Sequence, residues 1–333
     1  MNTFGRLFTV SIFGESHGNG VGITLDGCPP GIELFESDFV IDMQRRKSGA
    51  KGTTPRTEED VPKILTGLFQ GKTTGAPLTL FIENSNTRSS DYSKFRDFPR
   101  PGHADFTAMH KYFGFDDFRG SGHFSGRLTS AITAAGVVAK KIIAPVTVQA
   151  SILEIGGHTQ WQEALDEAIA AHDSLGGLIE CRVNGLPVGL GEPFFNSVEA
   201  VISHLVFSIP AVRAIEFGTG FEAARMRGSQ HNDPIIGIDG KTATNHAAGI
   251  NGGITNGNEL YFRIAVKPTS SIGCPQETMH FPSGKVQTLV VQGRHDACIS
   301  LRVPPVLEAM TAIGLADLWL IRLAQRPYSP IHP

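Results

Sequence analysis

Two long runs of small apolar residues dominate the hydropathy pattern. Leu128–Ile143 carries Ala131, Ala134, Ala135, Val137 and Val138 ahead of Lys140 and Lys141. This predicts a buried helix with cations at the negative end of its dipole. Val306–Arg322 predicts a second apolar helix. Phe39, Val40 and Met43 recur at helical spacing behind Ser37 and Asp38, either of which could cap a helix running to Lys47. Trp161, Leu165 and Ile169 mark a peripheral helix within Gly156–Ser174, and Ser197–Val206 predicts another. Strand patterns cover Gly22–Leu25, Lys63–Phe69, Leu78–Ile82, Leu260–Val266 and Gln287–Val291, with turn clusters at 26–31 and 71–75. From Asn84 to about His123 the chain is polar and aperiodic, yet its Asp-Phe pairs and Arg-Pro-Gly-His run predict an ordered, functional loop.

The same features recur, in order, in the second half. Gly27-Cys28-Pro29-Pro30-Gly31 is echoed by Gly185-Leu186-Pro187-Val188-Gly189. Gly75 leads to one strand and Gly257 to another, and Ser125-Gly126-Arg127 and Ser300-Leu301-Arg302 each precede an apolar helix. The spacing between counterparts drifts, which argues for a divergent duplication rather than a short repeat. No linker divides the chain. The expectation is a single domain over 1–333, built from two related halves at about 1–150 and 175–333. Two apolar helices need cover on every side. The fold class expected is therefore α+β, with the central long helices packed together and sandwiched between antiparallel sheets in two pseudo-symmetric halves.

Composition narrows the function. Hydrophobic residues make up 41% of the 333 and charged residues 18%, with 38 Gly. The charged share is below the usual ~25%, which excludes a disordered polyelectrolyte. A net charge of −3 provides no global positive field for nucleic acid. Cys28, Cys181, Cys274 and Cys298 form no C-x-x-C pair, and buried reduced thiols are expected. No run reaches the ~18 apolar residues of a membrane span, and Met1–Phe13 lacks a signal-peptide core. A cytoplasmic protein with no membrane contact is expected.

Candidate chemistry sits in Gly-rich turns. Phe13-Gly14-Glu15-Ser16-His17-Gly18 places a histidine between two apparent strands, either to exchange protons or to make a structural hydrogen bond. Arg45, Arg46, Lys47, Lys51 and Arg56 are either a solvated helix end or an oxyanion site, since arginine forks match phosphate and carboxylate. Phe98–Asp105 holds Arg100 and His103 in a rigid turn, and Arg119–Arg127 runs Gly-rich backbone into an apolar helix, a plausible phosphate seat. Lys267-Pro268-Thr269-Ser270-Ser271 ends a strand with a cation and three hydroxyls. Arg294-His295-Asp296 reads equally as a charge relay or a salt-bridged turn. No His, Asp or Glu spacing matches a metal-ligand motif, and no metal is expected.

Five of these motifs occur in the order found in one family. Phe13–Gly18 (FGESHG), Arg100–Asp105 (RPGHAD), Asn245–Gly253 (NHAAGINGG), Lys267–Ile272 (KPTSSI) and Arg294–Asp296 (RHD) make the chain resemble the chorismate synthases from Gly5 to about Arg322. The resemblance implies a 1,4-elimination converting 5-enolpyruvylshikimate 3-phosphate to chorismate and phosphate, in the shikimate pathway to aromatic amino acids. It implies reduced FMN as cofactor, NADPH as a candidate flavin reductant, and a homotetramer. Ser125, Pro210, Ala211, Gly252, Lys267, Pro268, Thr269, Ser270, Ser271 and Arg294 would then contact FMN. Ser16, Arg46, Lys51, Arg100 and Arg127 would bind substrate or NADP. His17 and His103 would protonate the leaving phosphate and the reduced flavin, and Asp296 would assist proton removal from the substrate ring.

The chain departs from the family pattern where His123, Phe124 and Leu128 stand in place of Arg, Ser and Glu. Lys47 replaces the third Arg of the first cluster, a deletion near Gly49–Thr53 displaces Lys51, and the middle at about 145–180 is shortened. The alternative function carried by these departures is a flavin- or phosphate-binding protein on the same fold with lost or altered activity.

Overall fold

The computed structural model of the chain describes residues 2–55, 58–85, 92–293 and 295–325. The first half contributes strands β1 (Thr3–Phe4), β2 (Thr9–Gly14), β3 (Gly20–Asp26), β4 (Lys63–Thr66), β5 (Leu68–Phe69), β6 (Lys72–Thr73) and β7 (Leu78–Glu83), and helices α1 (Glu36–Arg46), α2 (Asp105–Lys111) and α3 (Thr129–Ile142). The second contributes β8 (Thr147–Ile155), β9 (Gly177–Asn184), β10 (Val212–Phe217), β11 (Ile250–Asn251), β12 (Ile254–Thr255), β13 (Leu260–Val266), β14 (Gln276–His280) and β15 (Lys285–Leu289). Its helices are α4 (Gln162–Ala170), α5 (Val198–Val206), α6 (Gly228–His231) and α7 (Val303–Ala324).

The two large sheets are antiparallel and ordered β1-β2-β3-β7-β4 and β10-β13-β9-β8. With β1 set aside, β2-β3-β7-β4 and β8-β9-β13-β10 follow the same succession of hairpin, late strand and intervening strand. Each series ends in an apolar helix entered through a 3-10 turn, Gly126–Leu128 before α3 and Ile299–Arg302 before α7. Alternation along β7 and β13 buries Leu78, Leu80 and Ile82 on one sheet and Leu260, Phe262, Ile264 and Val266 on the other.

Helix α3 packs against β3 and β7, α7 packs against β8 and β9, and the two helices pack on each other. Small residues permit this. A Cβ on Gly136 would overlap Ala309 across the interface. A larger residue there would force the helices apart, a change that typically costs about 1–3 kcal/mol. Two carboxylates are buried in the otherwise apolar α7. Glu308, 2% exposed, accepts both Arg45 amino groups of α1 at 2.7 Å, Lys140 of α3 at 2.9 Å and the Ala150 N–H of β8 at 2.9 Å. Asp317 accepts the successive backbone N–H groups of Arg6, Leu7 and Phe8 at 3.0, 2.8 and 2.9 Å.

Several sequence expectations need correction. The predicted strand 63–69 breaks at Gly67 (φ +85), where the backbone turns against Leu78, and Leu68–Phe69 pairs instead with Lys72–Thr73. Helix α1 begins earlier than read, at Glu36. Asp38 lies in its first turn and accepts the Phe35 N–H at 2.8 Å, while Ser37 is inside the helix. Ser197 does cap α5, accepting the Ala200 N–H. On α4 the inward side chains are Leu165 and Ala168, with Ile169 exposed. The polar loop contains α2 and short 3-10 turns at Ser93–Arg96 and Arg119–Phe124. All four cysteines are free, three buried and Cys274 partly exposed. Among the described residues no helix is long and apolar enough to cross a membrane, and no His, Cys, Asp and Glu cluster could hold a metal.

Candidate active site

A cavity of about 750 Å³ opens between the two series of elements. Its floor is apolar, from Ile132 of α3 and Val306, Met310 and Ile313 of α7. Its walls collect most of the sequence candidates: Ser16, His17, Arg46, Arg100, His103, Ser125, Arg127, Pro210, Ala211, Lys267 to Ser271 and Asp296. Two candidates are elsewhere. Lys51 is exposed and ion-paired with Asp166 of α4, outside the cavity lining. Gly252 stands at the exposed tip of the β11–β12 hairpin. Arg294 lies outside the described residues.

His17 is 8% exposed and meets Tyr92 edge-on, with ring centroids 5.2 Å apart. It is in the β2–β3 connection, held to the Gly-rich turn by a hydrogen bond from Ser16 N–H to Gly122 O at 3.1 Å. Gly120, Ser121 and Gly122 all have positive φ (58, 68 and 49). A Cβ on Gly120 would overlap the His17 ring, so the turn can lie flat against the imidazole only with glycine there. Among the described residues, the buried Ser16 hydroxyl and Thr269 Oγ1, both in the cavity lining, have no hydrogen-bond partner. A buried hydroxyl without a partner is costly, and an incoming ligand group would satisfy it.

His103 is oriented by its neighbours. Its Nδ1 is 2.8 Å from Asp105 Oδ1, and its Nε2 is 3.3 Å from Ser121 Oγ. Nδ1 also lies 3.1 Å from Arg100 Nη2, which only donates, whereas the Asp105 carboxylate only accepts, and the shorter contact favours a proton on Nδ1 with Nε2 left to exchange one. Asp105 also accepts Arg100 Nε at 2.8 Å and Nη2 at 2.7 Å. Burial alone would raise the Asp105 pKa, yet hydrogen bonds from Arg100 and His103 hold it well below the usual carboxylate range. The His103 pKa is lowered, chiefly by burial and also by the Arg100 charge, against the opposing pull of Asp105. Arg100 is itself fixed, with Nη1 donating to Ser271 Oγ at 2.9 Å and the guanidinium 4.3 Å above the Phe95 ring. Lys267 Nζ and Ser270 Oγ both donate to Gly102 O, at 2.7 and 2.8 Å, pinning the turn that carries His103 to the end of β13. Burial, then the Arg213 charge, lowers the Lys267 pKa.

A third group is cationic. Arg46 (3% exposed) donates to Thr129, Asp60 and Gly126 O, and Arg127 (7%) to Asn84, Asp60 and Glu83 O. Arg302 donates to Arg46 O at 3.0 Å and pairs with Asp296 at 3.3 Å. Asp296 also accepts the Thr54 N–H at 2.9 Å. Burial, then the Arg302 charge, lowers the Arg46 pKa to about 9, so it remains a cation at neutral pH. Three guanidiniums gather here around Asp60 and Asp296, with Glu58 also on the cavity wall, a concentration of N–H donors suited to an anionic ligand.

Sequence reasoning missed Asp60, Asp105, Ser121 and Arg302. Asp105 carried a signal, because it is two residues beyond His103 in the same motif. Asp60 carried none, since only its tertiary position puts it between two arginines. The departure at His123 has a structural explanation. Its Nδ1 donates to Gly14 O at 2.9 Å and its Nε2 is 3.2 Å from Asn2 Oδ1, so the ring ties the turn to β2 and the chain's first residues.

The chorismate synthase family model matches residues 8–320. A chorismate synthase of Chitinophaga pinensis is 61% identical over 322 residues, covering 96% of this chain and 97% of that protein. A chorismate synthase of Thermococcus kodakarensis is 42% identical, covering 96% and 98%. A crystal structure of a chorismate synthase superposes with a TM-score of 0.74 at 27% identity, covering 96% of this chain and 94% of that one. Two oriented histidines, a cluster of guanidiniums and kinship along almost the whole length agree: the chain belongs to the chorismate synthase family.

Proposed function

We propose that the cavity between α3 and α7 holds both molecules of the chorismate synthase reaction, in which 5-enolpyruvylshikimate 3-phosphate loses phosphate and a ring proton by 1,4-elimination. Reduced FMN, when bound, supplies the electron-rich partner that this elimination requires without net redox change. The residues fit such a pair. About 750 Å³ lies in the upper part of the range for ligand pockets, the partnerless Ser16 and Thr269 hydroxyls await polar groups, and the gathered guanidiniums suit phosphate and carboxylate. Ser125, Pro210, Ala211 and Lys267 to Ser271 would hold the flavin, together with Arg294. Ser16, Arg46, Arg100 and Arg127 would hold the substrate. Gly252 would enter only through a homotetramer, by reaching the cavity of a neighbouring copy.

The observation that carries this reading is His103, which lines the cavity with Nδ1 2.8 Å from Asp105 Oδ1 and Nε2 beside the Ser121 hydroxyl at 3.3 Å. His103 and His17 act as the proton donors and Asp296 as the acceptor for the ring proton. The bond to phosphate breaks, the proton leaves the ring, and the released electron pair completes the second ring double bond. Arg46 and Arg127 offset the charge of the departing phosphate. The matching strand orders of the two large sheets support the reading of two related halves, with the apolar helices sandwiched between sheets. A cytoplasmic enzyme is the corresponding setting.

Anaerobic turnover of the substrate with dithionite-reduced FMN, followed by chorismate absorbance, tests the activity. Substrate-stimulated binding of FMN without product would instead favour the binding-protein alternative. His123 and Leu128 weigh against that alternative, because one ties the turn to β2 and the other is buried. Comparing NADPH with dithionite as reductant tests whether the chain reduces FMN itself. The position of Lys51, paired with Asp166 outside the cavity, favours external reduction.

A further inference from the structure

Asp60 lines the cavity wall, 5% exposed, with a backbone φ of +53. A non-glycine residue in the left-handed region is strained, and it persists only where its surroundings hold it. What holds Asp60 is a pair of ion pairs. Oδ2 accepts Arg46 Nη1 at 3.0 Å, and Oδ1 accepts Arg127 Nη1. The two arginines come from different elements, the last turn of α1 and the entry to α3, and they also donate to Gly126 O and Glu83 O. One carboxylate thus fixes two guanidiniums whose charges repel.

We infer that Asp60 is a positioning residue, which sets the separation and tilt of Arg46 and Arg127 so that together they seat one oxyanion, phosphate or carboxylate, of the substrate or the flavin. This rests on the cavity reading above and adds to it a residue that touches neither ligand. The geometry has two consequences. Each guanidinium gives one of its five donors to Asp60 and two more to protein oxygens, Thr129 and Gly126 for Arg46 and Asn84 and Glu83 for Arg127, so two N–H groups of each remain to meet a ligand. Asp60 also neutralises only one of the two charges, so the pair keeps a net attraction for an anion. A purely structural ion pair would need neither the cavity-facing position nor the strained backbone.

The test uses the full chain with FMN and compares Asp60→Asn and Asp60→Glu with wild type. Asparagine keeps the shape and one acceptor but loses the charge. Glutamate keeps the charge but moves the carboxylate by one methylene. Substrate KM, inhibition by inorganic phosphate, FMN affinity and Tm are measured on the folded fraction. The expected result is at least a tenfold change in substrate KM or in FMN affinity for Asp60→Asn. Whichever constant moves identifies whose oxyanion is seated. Asp60→Glu should fold like wild type yet remain at least fivefold impaired in the same constant. If Asp60→Asn is too unstable to assay, Asp60→Glu alone decides. A lowered Tm with both constants within twofold of wild type would make Asp60 structural and overturn the inference. Wild-type protein that neither binds FMN nor forms chorismate would instead overturn the cavity reading, and the inference with it.

Discussion

Asp105→Asn removes one negative charge from the side of His103 while preserving its volume. Asp105 Oδ1 is 2.8 Å from His103 Nδ1, a hydrogen bond to a carboxylate that becomes an ion pair when the imidazole is protonated. Such bonds contribute about 1.5–3 kcal/mol. The imidazolium gains more from that carboxylate than the neutral ring does, so losing it moves the His103 midpoint further down from a value already lowered by burial. His103 must be protonated to act as an acid. Near pH 7, above both midpoints, the protonated fraction therefore falls, and kcat/KM should fall with it, by up to about 100-fold. The sign gives the diagnostic. Activity that depends on protonated His103 is lost as pH rises through its midpoint, so in the variant this loss begins at lower pH and the deficit shrinks on acidification. Rates measured anaerobically from about pH 5 to 8.5, with reduced FMN saturating, would show the displaced limb. His103→Ala should remove that limb, and adding Asp105→Asn to it should cost little more. A uniform loss at every pH, with the limb unmoved, would refute His103 as the titrating acid. The measurement belongs on the folded fraction, because Arg100 also loses its carboxylate partner.

Gly120→Ala should cost turnover by about 10²-fold or more, the scale of losing a positioned acid, because the new Cβ displaces His17. Its FMN affinity should stay within about threefold of wild type on that same reasoning, and a crystal structure with His17 unmoved would contradict this account. Asp296→Asn keeps an acceptor for the Thr54 N–H but cannot take up a proton at neutral pH. Its turnover should fall nearly as far as that of Asp296→Ala, and near wild-type turnover would remove Asp296 from the proton path. His103 and His295 both have pKa values lowered mainly by burial. Folded protein therefore binds fewer protons than unfolded, so their contribution to stability is present above the unfolded value of ~6.5 and is lost as pH falls through the lowered folded values. Ligand-free Tm should decline over that interval, and a flat Tm would count against the burial of both rings.

Where local pattern decides structure, the sequence was readable. Strand Leu260–Val266 and helices α3 and α7 follow from unbroken periodicity, and His17 and His103, named from the five motifs, both line the cavity. Where geometry depends on a partner distant in the chain, it was not. Asp60 looks like any other acid in Glu58-Glu59-Asp60 until Arg127 arrives beside it. Lys51 looked like a ligand from its neighbours, but its loop leads it to Asp166. The break at Gly67 was missed because apolar residues continue on both sides, and only a backbone φ of +85 betrays the turn.

The carboxylate of Asp317 has a bearing on how the chain comes into being. Residues 6–8 offer three consecutive N–H groups whose acceptor is 309 to 311 residues further along. At about 5–20 residues per second of synthesis, that acceptor emerges roughly 15–60 s after its donors. Until then the segment leading into β2 has only water to bond, and α3 has no α7 to cover it. The first half therefore waits, partly open, for the last helix. A chaperone that shields α3 during this interval should raise the yield of native protein, and a nascent chain halted before residue 303 should be protease-sensitive near its beginning.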